Sequence, residues 1–378
     1  MNEITTQLKR DFARYKPALN LSECMRLAQA QCGKSYSAQV KDIYRLKKGD
    51  GKLSAQDYYY YRLYDDTQYS KAEKYRFLSE SVHRGMIAKC CEHTWWATAD
   101  DKFVAYQYLH ACGLPVPETQ AVYHPAERGY GRTPQLKSLD ALAQFLAKEA
   151  RYPIFAKPVD SVASFGAYVI RGYDNGQVIT EGNLPQPVQA FAAELGQDSG
   201  YLLQSLLRPH PDLLDLSEMI GTIRVMIMVT PEGPKVLQTL AKIPAKGNIA
   251  DNFWRDGNFL TAIDAEGGKI TRAVRGVGPE MEVLESHPES GEPLLGLSMP
   301  DWDRLLSVTL EGARLYTANR YQSWDIALTE AGPVVVEVNT GSAYNLAQLA
   351  TGTGILTDAF ADFLESCGYK LKRAWTKV

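Results

Sequence analysis

The stretch from Trp324 to Asn339 constrains this chain more than any other. It runs Trp324-Asp325-Ile326-Ala327-Leu328, then Thr329-Glu330-Ala331-Gly332-Pro333, then Val334-Val335-Val336-Glu337-Val338-Asn339. Two apolar runs flank a turn containing Gly332 and Pro333, which predicts a β-hairpin. The second run is β-branched and nearly continuous, the pattern of a strand buried on both faces. Glu337 and Asn339 stand two apart, so they share one face of that strand. Asp325 on the partner strand can lie beside them. A carboxylate inside so apolar a run is costly without a partner. Three oxygen ligands on one face suit Mg²⁺, with water and substrate phosphates completing its shell. The competing reading is an ordinary hairpin with solvated acids.

A length of 378 residues suits two or three domains and a large core. The net charge of −3 gives no overall pull toward nucleic acid. No run approaches the roughly 20 apolar residues of a membrane span. The first residues lack an apolar signal core. Cys24, Cys32, Cys90, Cys91, Cys112 and Cys367 form no C-x-x-C pair and no metal spacing. They read as reduced thiols of a cytoplasmic protein. His83, His93, His110, His124, His210 and His287 are scattered, with no metal pair and no nucleophile–His arrangement.

Residues 1–96 read as a mostly helical domain separate from the rest. Leu21, Cys24, Met25, Ala28 and Cys32 have the spacing of one helical face, with Ser22 and Glu23 at its start. A second helix ends at Gly49, and Ser54 caps a third. Tyr58 to Tyr61 cannot share one helical face, so some face a neighbour or a partner. The stretch Lys71 to Cys91 predicts one further amphipathic helix. This third holds 17 basic residues against 11 acidic ones, and 10 of the 22 tyrosines. It fits either a packing domain with a solvated basic face or a cap for an anionic acceptor or membrane surface.

Residues 97–206 read as a first α+β lobe. A helix capped by Asp100 and containing Lys102 ends at Gly113, before Pro115 and Pro117. Ser138 opens an amphipathic helix. Lys157 lies in the apolar run Ile154 to Val159 and must snorkel or meet an anion. The loop Ser161 to Gly166 follows, with small residues whose backbone N–H groups can approach a phosphate. An apolar strand over 201–207 contains Gln204 and Leu206.

Residues 207–378 read as a second α+β lobe. Arg224 and Lys242 sit on the two strands of a hairpin with a turn at 231–234, and each needs an anionic partner. The Asn- and Gly-rich segment holding Asn248, Asp251, Asn252 and Gly257 predicts a structured loop on the acceptor side. Residues 264–300 read as exposed strands and loops near the cleft. Asp301 caps a helix before the metal hairpin, and a closing helix precedes a basic surface tail.

In order along 97–360, these motifs resemble the ATP-grasp superfamily. The phrase from Ser323 to Leu356 is similar to its sugar-transfer-associated family. The resemblance implies two α+β lobes with ATP between them, after the helical N-terminal region. It implies that Asp325, Glu337 and Asn339 hold Mg²⁺, or Mn²⁺, against the ATP phosphates. Lys102 would reach the α-phosphate, and Lys157 with Ser164 and Gly166 would cover the phosphates. The hinge backbone at Leu206 would meet adenine, with Gln204 pairing to adenine or ribose or simply sitting in its strand. Among the catalytic residues, Arg224 would lie near the γ-phosphate or acyl-phosphate, Lys242 near the ATP phosphates as a cofactor-binding residue too, and Asn248 on the acceptor side. Thr340-Gly341-Ser342 replaces the family's usual Pro-Gly after the Asn, and the phosphate loop has a single glycine. The implied reaction is ATP-dependent amide formation from a small carboxylate and an amine, sugar- or amino-acid-derived. A sugar kinase, a non-catalytic ATP-binding regulator and a homodimer stay open.

Overall fold

The computed structural model describes residues 18–126, 128–160, 166–195 and 200–378. Ser164 lies outside the described residues, as does the rest of its loop before Gly166. Two seven-stranded sheets dominate. The first holds β1 (Thr119–Tyr123), β2 (Gln135–Leu136), β3 (Ile154–Pro158), β4 (Tyr168–Asp174), β5 (Gln177–Thr180), β6 (Gln186–Pro187) and β7 (Tyr201–Ser205). Their spatial order is β2-β1-β7-β3-β4-β5-β6, and only β1 and β2 run parallel. Helices Leu139–Lys148 and Val188–Leu195 cover one face through Leu142, Phe145, Leu146 and Phe191. Helix Lys102–Ala111 lies against the other face through Phe103 and Tyr106.

The second sheet holds β8 (Thr222–Thr230), β9 (Gly233–Ile243), β10 (Phe259–Ile263), β11 (Ile270–Arg275), β12 (Glu282–Leu284), β13 (Tyr321–Thr329) and β14 (Gly332–Thr340). It is antiparallel throughout, in the order β12-β11-β10-β9-β8-β13-β14. Its strands alternate, as period-2 geometry requires. Ile223, Val225, Ile227, Trp324 and Ile326 face helix Trp302–Leu315. Met226, Met228, Leu240, Leu260 and Tyr321 face the other way.

That second face is covered by the N-terminal helices. Tyr58, Tyr59, Phe77, Leu78, Met86 and Ile87 share one buried cluster with Met226, Leu260 and Tyr321. Helix Tyr344–Thr351 is wedged between them. Its Gln348 amide donates to the Leu78 carbonyl (2.9 Å) and accepts from the Leu78 N–H (2.7 Å). All seven residues Tyr344 to Ala350 are buried. With no solvent side, the helix has no amphipathic period to read. The four adjacent tyrosines are all buried as well. Tyr60 meets Trp254 edge-on (6.2 Å) and Tyr61 meets Phe77 (5.2 Å).

Several local expectations change. The first helix is capped by Asn20, whose side chain accepts from the Glu23 N–H (3.3 Å), not by Ser22. Asp101, not Asp100, caps helix Lys102–Ala111. Asp301 stands at a cap position with φ +51° but makes no side-chain cap bond. The single helix expected over 71–91 is broken into Lys71–Lys74, a 3₁₀ turn Glu80–Val82 and His83–Cys90. A capping box at Ser70 and Glu73 starts the first piece, and Ser79 caps the 3₁₀ turn.

Strand β14 also differs from the two-face burial expected of it. It is the edge of its sheet. Asp325 pairs with Glu337 and Ile326 with Val335, so Val336 is an extra residue in a bulge. The bulge turns Val336 and Glu337 to the same side, which explains the unbroken apolar run. The edge itself is blunted: the Val335 N–H donates to the Pro115 carbonyl (2.9 Å), and Tyr106 donates to the Val336 carbonyl.

Helix Trp302–Leu315 sits tightly on β13. A Cβ at Gly312 would lie 2.5 Å from the Trp324 ring, which is fully buried and donates to Gln322 (2.8 Å). Removing a helical glycine gains up to ~1 kcal/mol, but overpacking costs ~1–3 kcal/mol. Gly312→Ala is therefore expected to lower the urea midpoint, and an unchanged or higher midpoint would refute this packing.

Candidate active site

Asp325 is the centre of the polar face of the second sheet. It is almost fully buried. Arg224 on β8 grips it with Nε to Oδ1 (2.8 Å) and Nη2 to Oδ2 (2.7 Å). Lys242 on β9 adds Nζ to Oδ2 at 3.0 Å. Burial alone would raise the carboxyl's pKa, but Arg224 and Lys242 hold it well below the ordinary range. Asp325 thus keeps its negative charge, and both cations meet the anionic partner that burial demands. Register explains the meeting. Asp325 pairs with Arg224 across β13 and β8, and Thr222 pairs with Lys242 across β8 and β9.

Asp251 closes this group from the 244–258 loop. It accepts from the Thr222 N–H (3.0 Å) and the Thr222 hydroxyl, and lies 3.5 Å from Lys242 Nζ. Asn248 is not brought here. Its amide donates to the Asp256 carbonyl (2.8 Å) and to Asn258 Oδ1 (2.7 Å), holding the loop together. Sequence reading pointed at Asn248 and left Asp251 a shaping role. The signal for Asp251 is a carboxylate next to the isolated cation Lys242, visible only once β8 and β9 pair.

Glu337 lies opposite Asp325 across the bulge and pairs with Lys102 (3.0 Å). Lys102 is therefore a buried partner at the start of its helix, not a solvated one. Asn339 lies opposite Ser323, on the same face as Glu337. Its Nδ2 is buried and has no hydrogen-bond partner.

Lys157 approaches from the first sheet. It neither snorkels nor meets a carboxylate. Its Nζ donates to Tyr106 Oη (2.7 Å) and stands 5.9 Å from the centre of the Phe155 ring. Burial, helped by the nearby Lys102 charge, pulls its pKa down to about 7. Gln204 is buried beside it and donates to Thr119 Oγ1 (3.1 Å). The Leu206 N–H is engaged by the Pro153 carbonyl (3.2 Å). Gly166 has φ +70°, and a Cβ there would lie 2.7 Å from Tyr201 Oη, so glycine is required.

Lys102, Lys157, Gln204, Leu206, Thr222, Asp251 and Glu337 line one cleft between the sheets. It spans about 810 Å³ of space, part of it open to solvent. One wall is apolar, from Phe155, Leu206, Met219 and Ile220. The other carries Lys102, Lys157, Asp251 and Glu337. Behind it Arg224 and Lys242 hold Asp325. An apolar wall beside two lysines, one of them without a carboxylate partner among the described residues, suits a ligand with an aromatic end and an anionic end.

The donor set also fits a hard divalent cation. Among the described residues no three His, Cys, Asp or Glu side chains group to hold a metal. The Asp325–Glu337 pair instead has an amide, Asn339, as its third member. A carboxylate offers about four lone-pair sites. Asp325 uses three, so Oδ1 keeps one. Asn339 Nδ2 makes no hydrogen bond among the described residues, so the amide is not pinned there; its Oδ1 is the atom that would ligate a cation. Oxygen donors of this kind suit Mg²⁺ and accept Mn²⁺.

Comparison with known proteins bears on this arrangement. None of the curated proteins compared with the chain matches it. Among solved structures, it is similar to VanG D-Ala:D-Ser ligase from Enterococcus faecalis, at 14% identity and a TM-score of 0.41 over 73% of this chain and 64% of that one. It is similar to D-alanine–D-alanine ligase from Bacillus anthracis, at 13% and 0.40 over 74% and 69%. It is similar to biotin carboxylase from Campylobacter jejuni, at 12% and 0.42 over 72% and 47%. The chain thus spans less than two thirds of the first of these and about half of the last. Residues 84–361, nearly three quarters of the sequence, match the family described as sugar-transfer associated ATP-grasp. The chain belongs to that family, and its two sheets with a cleft between them are an ATP-grasp fold.

Proposed function

We propose that this chain is an ADP-forming ligase that joins a carboxylate to an amine through an acyl-phosphate. The observation that carries this reading is a cleft lined by Lys102, Lys157, Asp251 and Glu337, with the Arg224–Asp325–Lys242 group adjoining it through Asp251 and Glu337. The substrate carboxylate attacks the γ-phosphorus of ATP, and the bond to ADP breaks. The amine then attacks the acyl carbon, phosphate leaves, and the amine's proton passes to solvent. Family membership supports ATP as the phosphoryl donor. Its description is the support for sugar-derived substrates, in polysaccharide or natural-product biosynthesis.

The residues divide the work by position. The apolar wall beside Gln204 and Leu206 takes the adenine end. Lys102 and Lys157 meet the phosphates, and Lys157 exchanges its phenol partner for an anion. Arg224 and Lys242 hold positive charge next to the transferring group without reorganisation. Asp325, Glu337 and Asn339 would hold Mg²⁺, which when bound offsets phosphate charge. Positioning and preorganised charge suffice for phosphoryl transfer, so no side-chain nucleophile is needed.

Glu337→Gln is the cleaner probe of this centre. Asp325→Asn would leave buried Arg224 without its carboxylate and Lys242 with Asp251 alone, and cost ~3–5 kcal/mol of stability. Glu337 is less buried than Asp325 and has one ion-pair partner. Glu337→Gln is expected to cut turnover ~100-fold or more with little change in melting temperature. With an ¹⁸O-labelled carboxylate substrate, label must appear in the released phosphate. Phosphate retained on the product would instead identify a kinase, and ATP turnover without either substrate would sink the ligase reading.

Lys157 gives a pH signature. Its pKa of about 7 means the free protein carries it charged at pH 6 and mostly neutral at pH 8. A triphosphate beside it favours the charged form. Calorimetry in buffers of different ionisation enthalpy should therefore show wild type taking up close to one more proton than Lys157→Met at pH 8 on MgATP binding, and little more at pH 6. Equal uptake by both proteins at pH 8 would remove Lys157 from the phosphate site.

A further inference from the structure

The outer face of helix Tyr36–Lys47 has no partner among the described residues. Tyr36, Val40 and Tyr44 stand on it at four-residue intervals, 45%, 55% and 60% exposed. They form an aromatic and aliphatic stripe about 12 Å long. The opposite face is anchored by Gln39 and Leu46, both buried. Lys41, Arg45, Lys47 and Lys48 flank the stripe and are all exposed. Lys48 Nζ lies over the Tyr44 ring at 4.0 Å. The helix has one acid, Asp42, and it is turned away to pair with Lys34. The outer face is therefore an apolar stripe with Lys41, Arg45 and Lys48 along one side and Lys47 at its end.

A second observation adjoins the first. Lys41 and Arg45 also line a hollow with Lys34, Lys71, Lys74, Asp42, Asp66 and Tyr69. Asp66 is taken by Lys34 and Lys74, which leaves Lys41, Arg45 and Lys71 without a carboxylate side chain of their own among the described residues; Val378 lines the hollow beside them. The basic tail closes on the same side. Lys372 Nζ donates to the Lys48 carbonyl (3.0 Å), and the 3₁₀ turn Ala374–Lys377 packs on helix Lys71–Lys74. Three stretches distant in sequence thus gather cations along one side of an exposed apolar stripe, in a chain whose net charge is −3.

We propose that this face docks the protein onto an anionic lipid bilayer surface. The stripe enters the headgroup boundary, where tyrosine rings are favoured, and the cations beside it meet lipid phosphates. A second copy of the chain fits worse. A two-fold contact would set cations against cations with no acid between them. Nucleic acid leaves Val40 and the two rings without use. No helix among the described residues is long and apolar enough to cross a membrane, so attachment here is peripheral.

The test is co-sedimentation of the full chain with vesicles of phosphatidylglycerol mixed with phosphatidylcholine, against phosphatidylcholine alone. Wild type should partition onto the anionic vesicles at low salt and be released at high salt. Val40→Glu should weaken partitioning at least about tenfold, as should the triple variant Lys41→Glu, Arg45→Glu, Lys71→Glu. Both variants alter exposed side chains, so their melting temperature and MgATP binding should match wild type; these readouts stay independent of the ligase reading. Failure of wild type to prefer anionic vesicles would overturn the proposal. So would equal partitioning by folded variants. Heparin or DNA binding that ignores Val40→Glu, without vesicle binding, would assign the face to another polyanion and overturn it too. A dimer that Val40→Glu dissociates, without vesicle binding, would do the same.

Discussion

A carboxylate buried between two strands' worth of cations is an expensive object, and the second sheet is arranged around one. Asp325 on β13 accepts from Arg224 on β8 and Lys242 on β9, so one side chain ties three neighbouring strands. Such a group adds little net stability against an apolar equivalent, because desolvation offsets attraction. What it does is penalise every other register. A one-residue slip of β13 against β8 would put Asp325 among Val225 and Ile227 and leave Arg224 unpaired. The site and the strand register are thus one constraint. The bulge at Val336 extends it to the sheet edge, because without that extra residue Glu337 would not face the cleft beside Asp325.

The same charges join the two sheets. Lys102 reaches Glu337 from the helix that lies on the first sheet, and Tyr106 on that helix links Lys157 to the Val336 carbonyl. The Lys102–Glu337 pair and the Tyr106 bond to Val336 cross from the first sheet's helix to the second sheet, and Leu109 and Leu114 join the second sheet's apolar core beside them. Lys157, a lysine held by a phenol at a pKa of about 7, is poorly satisfied, and an anion is the partner its burial lacks. Further apolar anchoring lies in the shared cluster of the N-terminal helices and the second sheet.

The sequence was most legible where a short-range rule fixed the outcome. Period-2 alternation put Glu337 and Asn339 on one face, and burial of Arg224 and Lys242 required an acid nearby. Capping was legible only to within a residue or two. Asn20 and Ser22 are both good caps, as are Asp100 and Asp101, and the choice falls to tertiary packing. Helix Tyr344–Thr351 was hidden because it is buried on all sides. The bulge was read as a strand buried on both faces, since an apolar run shows no sign of an extra residue. Asn248 drew attention as a polar side chain in a loop, but its amide closes that loop on Asn258. Nothing local separates a loop-bracing amide from a ligand-facing one.

Charge was the least legible property, because clustering is a property of the fold. In sequence the basic residues of the first third are spread among acids at a ratio near that of an ordinary solvated surface. Folding sorts them. Glu23 is spent on Arg26, Asp42 and Asp66 on Lys34 and Lys74, and Asp50 on the backbone N–H groups of Lys372 and Ala374. Asp57 and Glu73 are spent as helix caps. What remains outward on helix Tyr36–Lys47 is Lys41, Arg45, Lys47 and Lys48 beside the Tyr36–Val40–Tyr44 stripe. The acids are consumed by structure and the cations are left to the surface. A region whose inner face completes the second sheet can therefore present an outer face of single sign, although its composition alone shows only a modest excess of base.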